Sequence, residues 1–199
     1  MAVRDSVTEE LIKETARNLF FAEGKFHATT QEIAEAAGVN RTLVHYYFRS
    51  RDYLFEQVLQ EAMVRIEQRA EAFLTSGLSF RQKIEKYIDE FTEQSLRYPY
   101  LDTYVVSKMN ESLEHMTTLF KDASRREKQR VFLAMAAEAI DRGEVRATDP
   151  FQFYLNLFSL LAHPIALQPI FKKAFNVSDK KYEKLIRDRK VSIINLLFN

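Results

Sequence analysis

Cysteine is absent from the 199 residues, so neither a disulfide framework nor a thiolate site is open to this chain. An excess of one charge is missing too: 29 basic residues stand against 28 acidic ones, a formal net charge of +1. The first 50 residues hold six Lys/Arg against seven Asp/Glu. Bulk charge therefore advertises no nucleic acid, and any electrostatic footprint must be local. Glycine and proline are scarce, four of each. No glycine-rich phosphate loop and no G-x-S-x-G elbow can be found. The four histidines, His27, His45, His115 and His163, are scattered, and none sits in an H-E-x-x-H spacing. The expectation is a protein that is not an enzyme, with no metal site and no cofactor.

Long hydrophobic runs are also lacking. The most apolar stretch, Phe153 to Phe171, contains Asn156, His163 and Gln168 and is broken by Pro164 and Pro169. It reads as a buried helix pair and not as a membrane span. The N-terminal MAVRDSVTEE has no apolar core of the signal-peptide kind. A cytoplasmic protein without a membrane partner is expected.

What is present is helical patterning. With 46% hydrophobic and 29% charged residues the chain is of ordinary globular composition, long enough for one large domain or two small ones. No strand-like alternation, repeat or low-complexity segment interrupts the pattern, so the fold is expected to be all-α with about nine helices. The chain is organised around Thr29 to Phe48, TTQEIAEAAGVNRTLVHYYF. Thr29 and Glu32 form an S/T-x-x-E capping box. Ile33, Ala34 and Ala37 share one face, Gly38 supplies the left-handed residue that ends a helix, and Asn40 is a preferred cap for the next. Val44 and Phe48 are spaced to pack back on Ile33 and Ala37. Together these features describe a helix-turn-helix.

The outer face of the second helix carries Arg41, Thr42, His45 and Tyr46, with Tyr47, Arg49 and Arg51 beyond. From Arg41 to Arg51 there are three arginines and no acid. Guanidinium groups, hydroxyls and an imidazole at a helix N-terminus suit phosphate oxygens and base edges. An ordinary helical hairpin with a solvated face is the plainer alternative.

The order G-x-F-x-A-T, I-A-x-A-A-G-V-N-R and L-V-H-Y-Y-F-R-S-R-D-x-L, over about Leu11 to Phe55, resembles the N-terminal domain of the TetR family of bacterial transcription regulators. Where that family commonly has Lys-Glu at the start of its fourth helix, this chain has Arg51-Asp52, which keeps the positive charge. The resemblance implies a DNA-binding domain over residues 1–50 and a helical ligand-binding and dimerisation domain over 51–199. It implies a homodimer on a near-palindromic double-stranded operator, repression, and release by a small-molecule effector. Carried over by position, Thr29, Thr30 and Gln31 meet DNA at the first helix's N-terminus. Asn40, Arg41, Thr42 and Tyr46 meet base edges and adjacent backbone, and His45, Tyr47 and Arg51 meet phosphates.

Further along, Ser6-x-x-Glu9 marks the start of a first helix ending at Gly24, with Ile12, Ala16, Leu19 and Phe20 as its stripe. Ser50 caps a long helix to about Ser76, and another runs from near Glu114 to Asp141. The mostly basic KDASRREKQR in that second long helix reads as a solvated face. Asp149-Pro150 opens a helix that is expected to kink or end near His163-Pro164. The terminal helix shows one apolar stripe through Tyr182, Leu185, Ile186, Ile193, Leu196 and Leu197 and a second through Val191, Ile194 and Phe198. A surface helix needs only one such stripe. The second, with Leu157 and Leu161, is the expected dimer face, matching the family's pairing of its last two helices. Phe91, Tyr98, Tyr104, Phe120, Phe132, Tyr154 and Phe158 are candidates to line a pocket for a largely apolar effector. For any one of them, simple core filling is the competing account. The alternative for the larger part is a surface that docks another protein, with no small-molecule inducer.

Overall fold

The structure, a computed structural model, describes residues 2–111 and 123–199, and these form ten α-helices. The described chain divides into two compact units, residues 1–69 and 70–199.

In the first unit, α1 is Ala2–Arg17, followed by a wide π-helical turn, Asn18–Ala22. Helix α1 begins before the expected Ser6 cap, since residues 2–5 contain neither glycine nor proline to stop it. The wide turn is closed by the Glu23 amide on the Asn18 carbonyl, 3.0 Å, and it lets three consecutive residues, Leu19, Phe20 and Phe21, face inward. Helices α2, Thr30–Ala37, and α3, Arg41–Phe48, follow. Helix α4, Arg51–Thr75, contributes Leu54, Phe55 and Val58 to the core with Ile12, Ala16, Ile33, Val44 and Phe48. Burying such side chains stabilises the unit by about 1.5–3 kcal/mol each.

A charged seam joins α1 to α4. Glu61 receives Lys13 Nζ at 2.8 Å and Arg17 Nη2 at 2.7 Å, and Arg17, almost fully buried, also pairs with Glu14. Burial by itself raises the Glu61 carboxyl, but the hydrogen bonds and charges of Lys13 and Arg17 outweigh it and hold Glu61 below the usual carboxylate range. Burial likewise opposes the charge on Lys13, and Glu10 and Glu61 override it, raising the ammonium above its ordinary value.

The second unit contains α5 (Phe80–Arg97), α6 (Leu101–Glu111), α7 (Ala123–Asp141), α8 (Pro150–Ala166), α9 (Gln168–Ala174) and α10 (Asp179–Leu197). Of the expected helix from Glu114, residues 114–122 lie outside the described residues. The core is Phe80, Ile84 and Ile88 from α5, Ala136 and Ala139 from α7, Phe153, Leu157 and Leu161 from α8, and Ile193, Ile194 and Leu197 from α10. Phe198 closes it. The last residues are tied back to the loop after α7: Arg146 N to Leu197 O, 2.9 Å, Asn199 N to Glu144 O, 3.0 Å, and an isolated antiparallel bridge between Val145 and Phe198.

Pro164 does not end α8, which continues to Ala166; the axis then turns by 62° into α9. Proline removes the amide that would serve the Leu160 carbonyl. Arg189 Nε serves it instead at 3.1 Å, and the Tyr182 hydroxyl donates to the Pro164 carbonyl at 2.7 Å. Two side chains of α10 thus repair the backbone around the proline. Among the described residues no single helix is long and apolar enough to cross a membrane.

Candidate nucleic-acid interface

Local chemistry positions the helix-turn-helix. The Thr29 hydroxyl accepts from the Glu32 amide at 3.2 Å while the Glu32 carboxylate accepts from the Thr29 amide at 2.7 Å and hydroxyl at 2.8 Å. Those two donors, the amide first, hold the Glu32 carboxyl below its ordinary range. Gly38 ends α2 with φ +66°, and a Cβ there would touch nothing, so the left-handed backbone and not crowding calls for glycine. Asn40 Oδ1 accepts from the Thr42 amide at 2.8 Å and starts α3. Val44 and Phe48 are buried, so the opposite face of α3 points outward.

That outward face presents Arg41, Thr42, His45 and Tyr46 in solvent, with Tyr46 70% exposed. The Tyr47 ring, half-buried, stands edge-on to Tyr46 at 5.0 Å. Thr29, Gln31 and Asn40 are exposed at the adjoining helix ends. Gln31 Nε2 is held by Glu35 at 2.7 Å. His45 Nδ1 lies 3.0 Å from the Arg49 carbonyl. A carbonyl only accepts, so Nδ1 is the donor in this contact. Arg49, at φ +56°, is the left-handed residue that ends α3.

Two of the residues expected to meet DNA, Thr30 and Arg51, make contacts within the fold. Thr30, 8% exposed, accepts from Arg41 Nε at 3.3 Å, so its hydroxyl joins α2 to α3 inside the fold. Arg51 lies over the Phe20 and Phe55 rings, 5.2 and 4.8 Å from their centroids, and its Nε donates to the Ala28 carbonyl at 3.4 Å. Aromatic faces attract a planar, weakly hydrated guanidinium, which is why Arg51 folds inward.

In the second unit the expected dimer residues Leu157, Leu161, Ile194 and Phe198 are buried in the unit's own core, and of that set only Val191 stays open, at 66%. Helical spacing alone could not sort the two stripes of α10, because each contributes buried residues, Tyr182, Ile186, Ile193 and Leu197 from one and Ile194 from the other, and each leaves others exposed. Exposed apolar side chains on these two helices include, beside Val191, Phe151 and Leu155 on α8 and Leu185 and Leu196 on α10. An open groove of about 1130 Å³ runs there, lined by Asp102, Val106, Leu155, Phe158, Arg189 and Leu196 among others. Of the expected pocket residues only Phe158 lines it. Sequence reading missed Asp102 and Arg189, which lie more than 80 positions apart and carry no shared motif.

The remaining pocket candidates pack on one another. Phe132 meets Tyr154 edge-on at 5.7 Å, Tyr154 leans on Phe158 at 4.4 Å, and Phe73 and Tyr87 close the ring. Burial raises the Tyr154 hydroxyl pKa. Phe91 leans on Tyr87 at 6.1 Å, Tyr98 is buried at the end of α5, and Lys108 lies over the Tyr104 ring. Phe120 lies outside the described residues.

A capped, glycine-turned helix pair with a polar, arginine-bearing second helix is a DNA-binding helix-turn-helix. Residues 12–58, which span the helix-turn-helix, match the model of the tetR family of bacterial regulatory proteins. No curated protein sequence matches it. Among solved structures it is similar to a TetR/AcrR-family regulator from Thermobifida fusca YX-ER1 at 19% identity and TM-score 0.62, over 94% of this chain and 96% of that one. A TetR-family regulator from Marinobacter aquaeolei VT8 matches at 15% identity and TM-score 0.59, over all of both chains. The regulator FadR from Bacillus subtilis, solved with stearoyl-CoA, matches at 13% and TM-score 0.56, over 94% and 98%. At these identities the likeness is one of fold.

Proposed function

We propose that the protein is a homodimeric, non-catalytic repressor that binds a near-palindromic operator in the cytoplasm and is released by a small, largely apolar effector. The division of labour is a DNA-binding part over residues 1–50 and an effector-binding and dimerising part over 51–199. The observation that carries the reading is the exposed face of α3, where Arg41, Thr42, His45 and Tyr46 stand on a helix whose opposite face is locked into the core. Thr29, Gln31 and Asn40 flank it, and Tyr47 contributes its ring edge. His45, its Nδ1 held on the Arg49 carbonyl, is assigned to a phosphate.

The partner face is Phe151, Leu155, Leu185 and Leu196, each pair on one side of its helix. A second copy related by a two-fold axis covers the groove between α8 and α10 and sets two recognition helices about one DNA turn apart. The effector enters among the ring of Phe73, Tyr87, Phe132, Tyr154 and Phe158, exchanging ring–ring contacts for contacts with ligand. The acyl-CoA bound by the fold neighbour FadR agrees with an apolar effector.

Selection of bound fragments from random duplex DNA, at a stated salt concentration, tests the reading. An enriched palindrome is expected. No enrichment, before or after unfolding and refolding to strip any bound effector, overturns it.

A further inference from the structure

The inward-folded Arg51 makes its contacts within the protein. Its guanidinium sits against two buried rings that are themselves 4.8 Å apart, Phe20 from the wide turn and Phe55 from α4. Its Nε donates to the carbonyl of Ala28, a buried residue and the last before the Thr29 cap of α2. One residue further on, the Thr30 hydroxyl receives Arg41 Nε from the first turn of α3. The contacts Arg51 to Ala28 and Thr30 to Arg41 therefore bracket the entry to α2 and link the start of α4 to the recognition helix. On the outer side Nη1 donates to Asp52 Oδ1 at 2.9 Å, and the Asp52 side chain is 88% exposed. A phosphate approaching this edge meets a carboxylate. Nε and Nη1 of the guanidinium are thus engaged within the protein.

Resting on the DNA-binding reading above, we infer that Arg51 is a positioning residue that sets the entry angle of α2, and through it α3, and is not a phosphate clamp. The chemistry distinguishes the two roles. A clamp needs charge, which lysine keeps. A positioning group needs a flat donor at the Nε position, which the neutral amide of glutamine supplies, because Gln Nε2 occupies the same place along the side chain as Arg Nε.

The test uses a duplex enriched by the wild-type protein and titrates wild type, Arg51→Lys and Arg51→Gln over a range of salt, well below each protein's unfolding midpoint. Expected is an order of wild type, then glutamine, then lysine, with lysine about tenfold weaker than wild type, the size for losing the planar Nε donor and its hydrogen bond. The slopes of log affinity against log salt stay parallel. Lysine at wild-type affinity, or a glutamine slope shallower by about one unit per subunit, overturns the inference, as do two unchanged variants. Amide hydrogen exchange at residues 29–32 in the free protein separates this from failure of the DNA-binding reading: exchange quickens in Arg51→Lys more than in Arg51→Gln if the inference holds, and unchanged exchange in both overturns it. Should Arg51→Lys fail to fold, the slope and exchange of Arg51→Gln decide.

Discussion

The helix-turn-helix and the unit from residue 70 onward are held in shape over different distances along the chain. In the first, the side-chain caps that start the helices reach three residues or fewer, Thr29 with Glu32 and Asn40 with Thr42. In the second, the shaping bonds reach 29 residues from Arg189 to Leu160, 52 from Arg146 to Phe198 and 101 from Lys190 to Asp89. A DNA-reading surface needs a fixed constellation of side chains, and local caps deliver it in a short segment. A helical unit that enlarges a core and accommodates partners is assembled by tertiary contacts, and its surface is free to differ among relatives of one fold.

Substitutions can break this comparison. The largest effect is expected in the long-range unit: Leu157→Ala, fully buried among α5, α7 and α10 residues, should cost about 2–5 kcal/mol in chemical denaturation. A cost near that of a surface change would show that the core closes without α8. Arg41→Ala should weaken operator binding by about 1–3 kcal/mol and relax sequence preference if Arg41 reads a base; equal loss on every duplex with a shallower salt slope makes it a phosphate contact. Gly38→Ala should cost about 1–2 kcal/mol, all of it from the left-handed backbone, since the added methyl has open space. An unchanged midpoint would show that the turn relaxes.

The smallest effect tests the seam between α1 and α4. Glu61 is held below its ordinary range, so its contribution is present above the unfolded carboxylate value and is lost as pH falls through the lower folded one. Lys13 is raised, so its share is present below the unfolded lysine value and is lost as pH rises past the folded one. Glu61→Gln should therefore lower stability between about pH 5 and pH 10 by no more than about 1 kcal/mol, given that Glu61 is a third exposed, and the deficit should vanish in acid. A deficit that persists at pH 2 would mean the loss is one of packing.

Much of the DNA-facing region was legible because capping and turning are written in adjacent residues: Thr29 with Glu32, Gly38, Asn40, and the apolar spacing of Ile33, Val44 and Phe48. The individual contacts were less so. Whether Thr30 and Arg51 face solvent depends on Arg41, Phe20 and Phe55, which no local pattern couples to them. Helical periodicity likewise announced α8 and α10, yet Pro164 was expected to end or kink the helix near His163, because only the fold brings Arg189 to the orphaned Leu160 carbonyl.

By itself the chain's order of residues determined the all-helical fold, the helix-turn-helix and its caps, since each rests on backbone preferences and spacings within a few turns. Tertiary structure alone decided which residues of α10's two apolar stripes are core, that Arg51 lies over aromatic rings, and where an open groove lies. Those outcomes depend on which distant surfaces exclude water from one another, and burial is a property of the packed molecule, not of any segment in it.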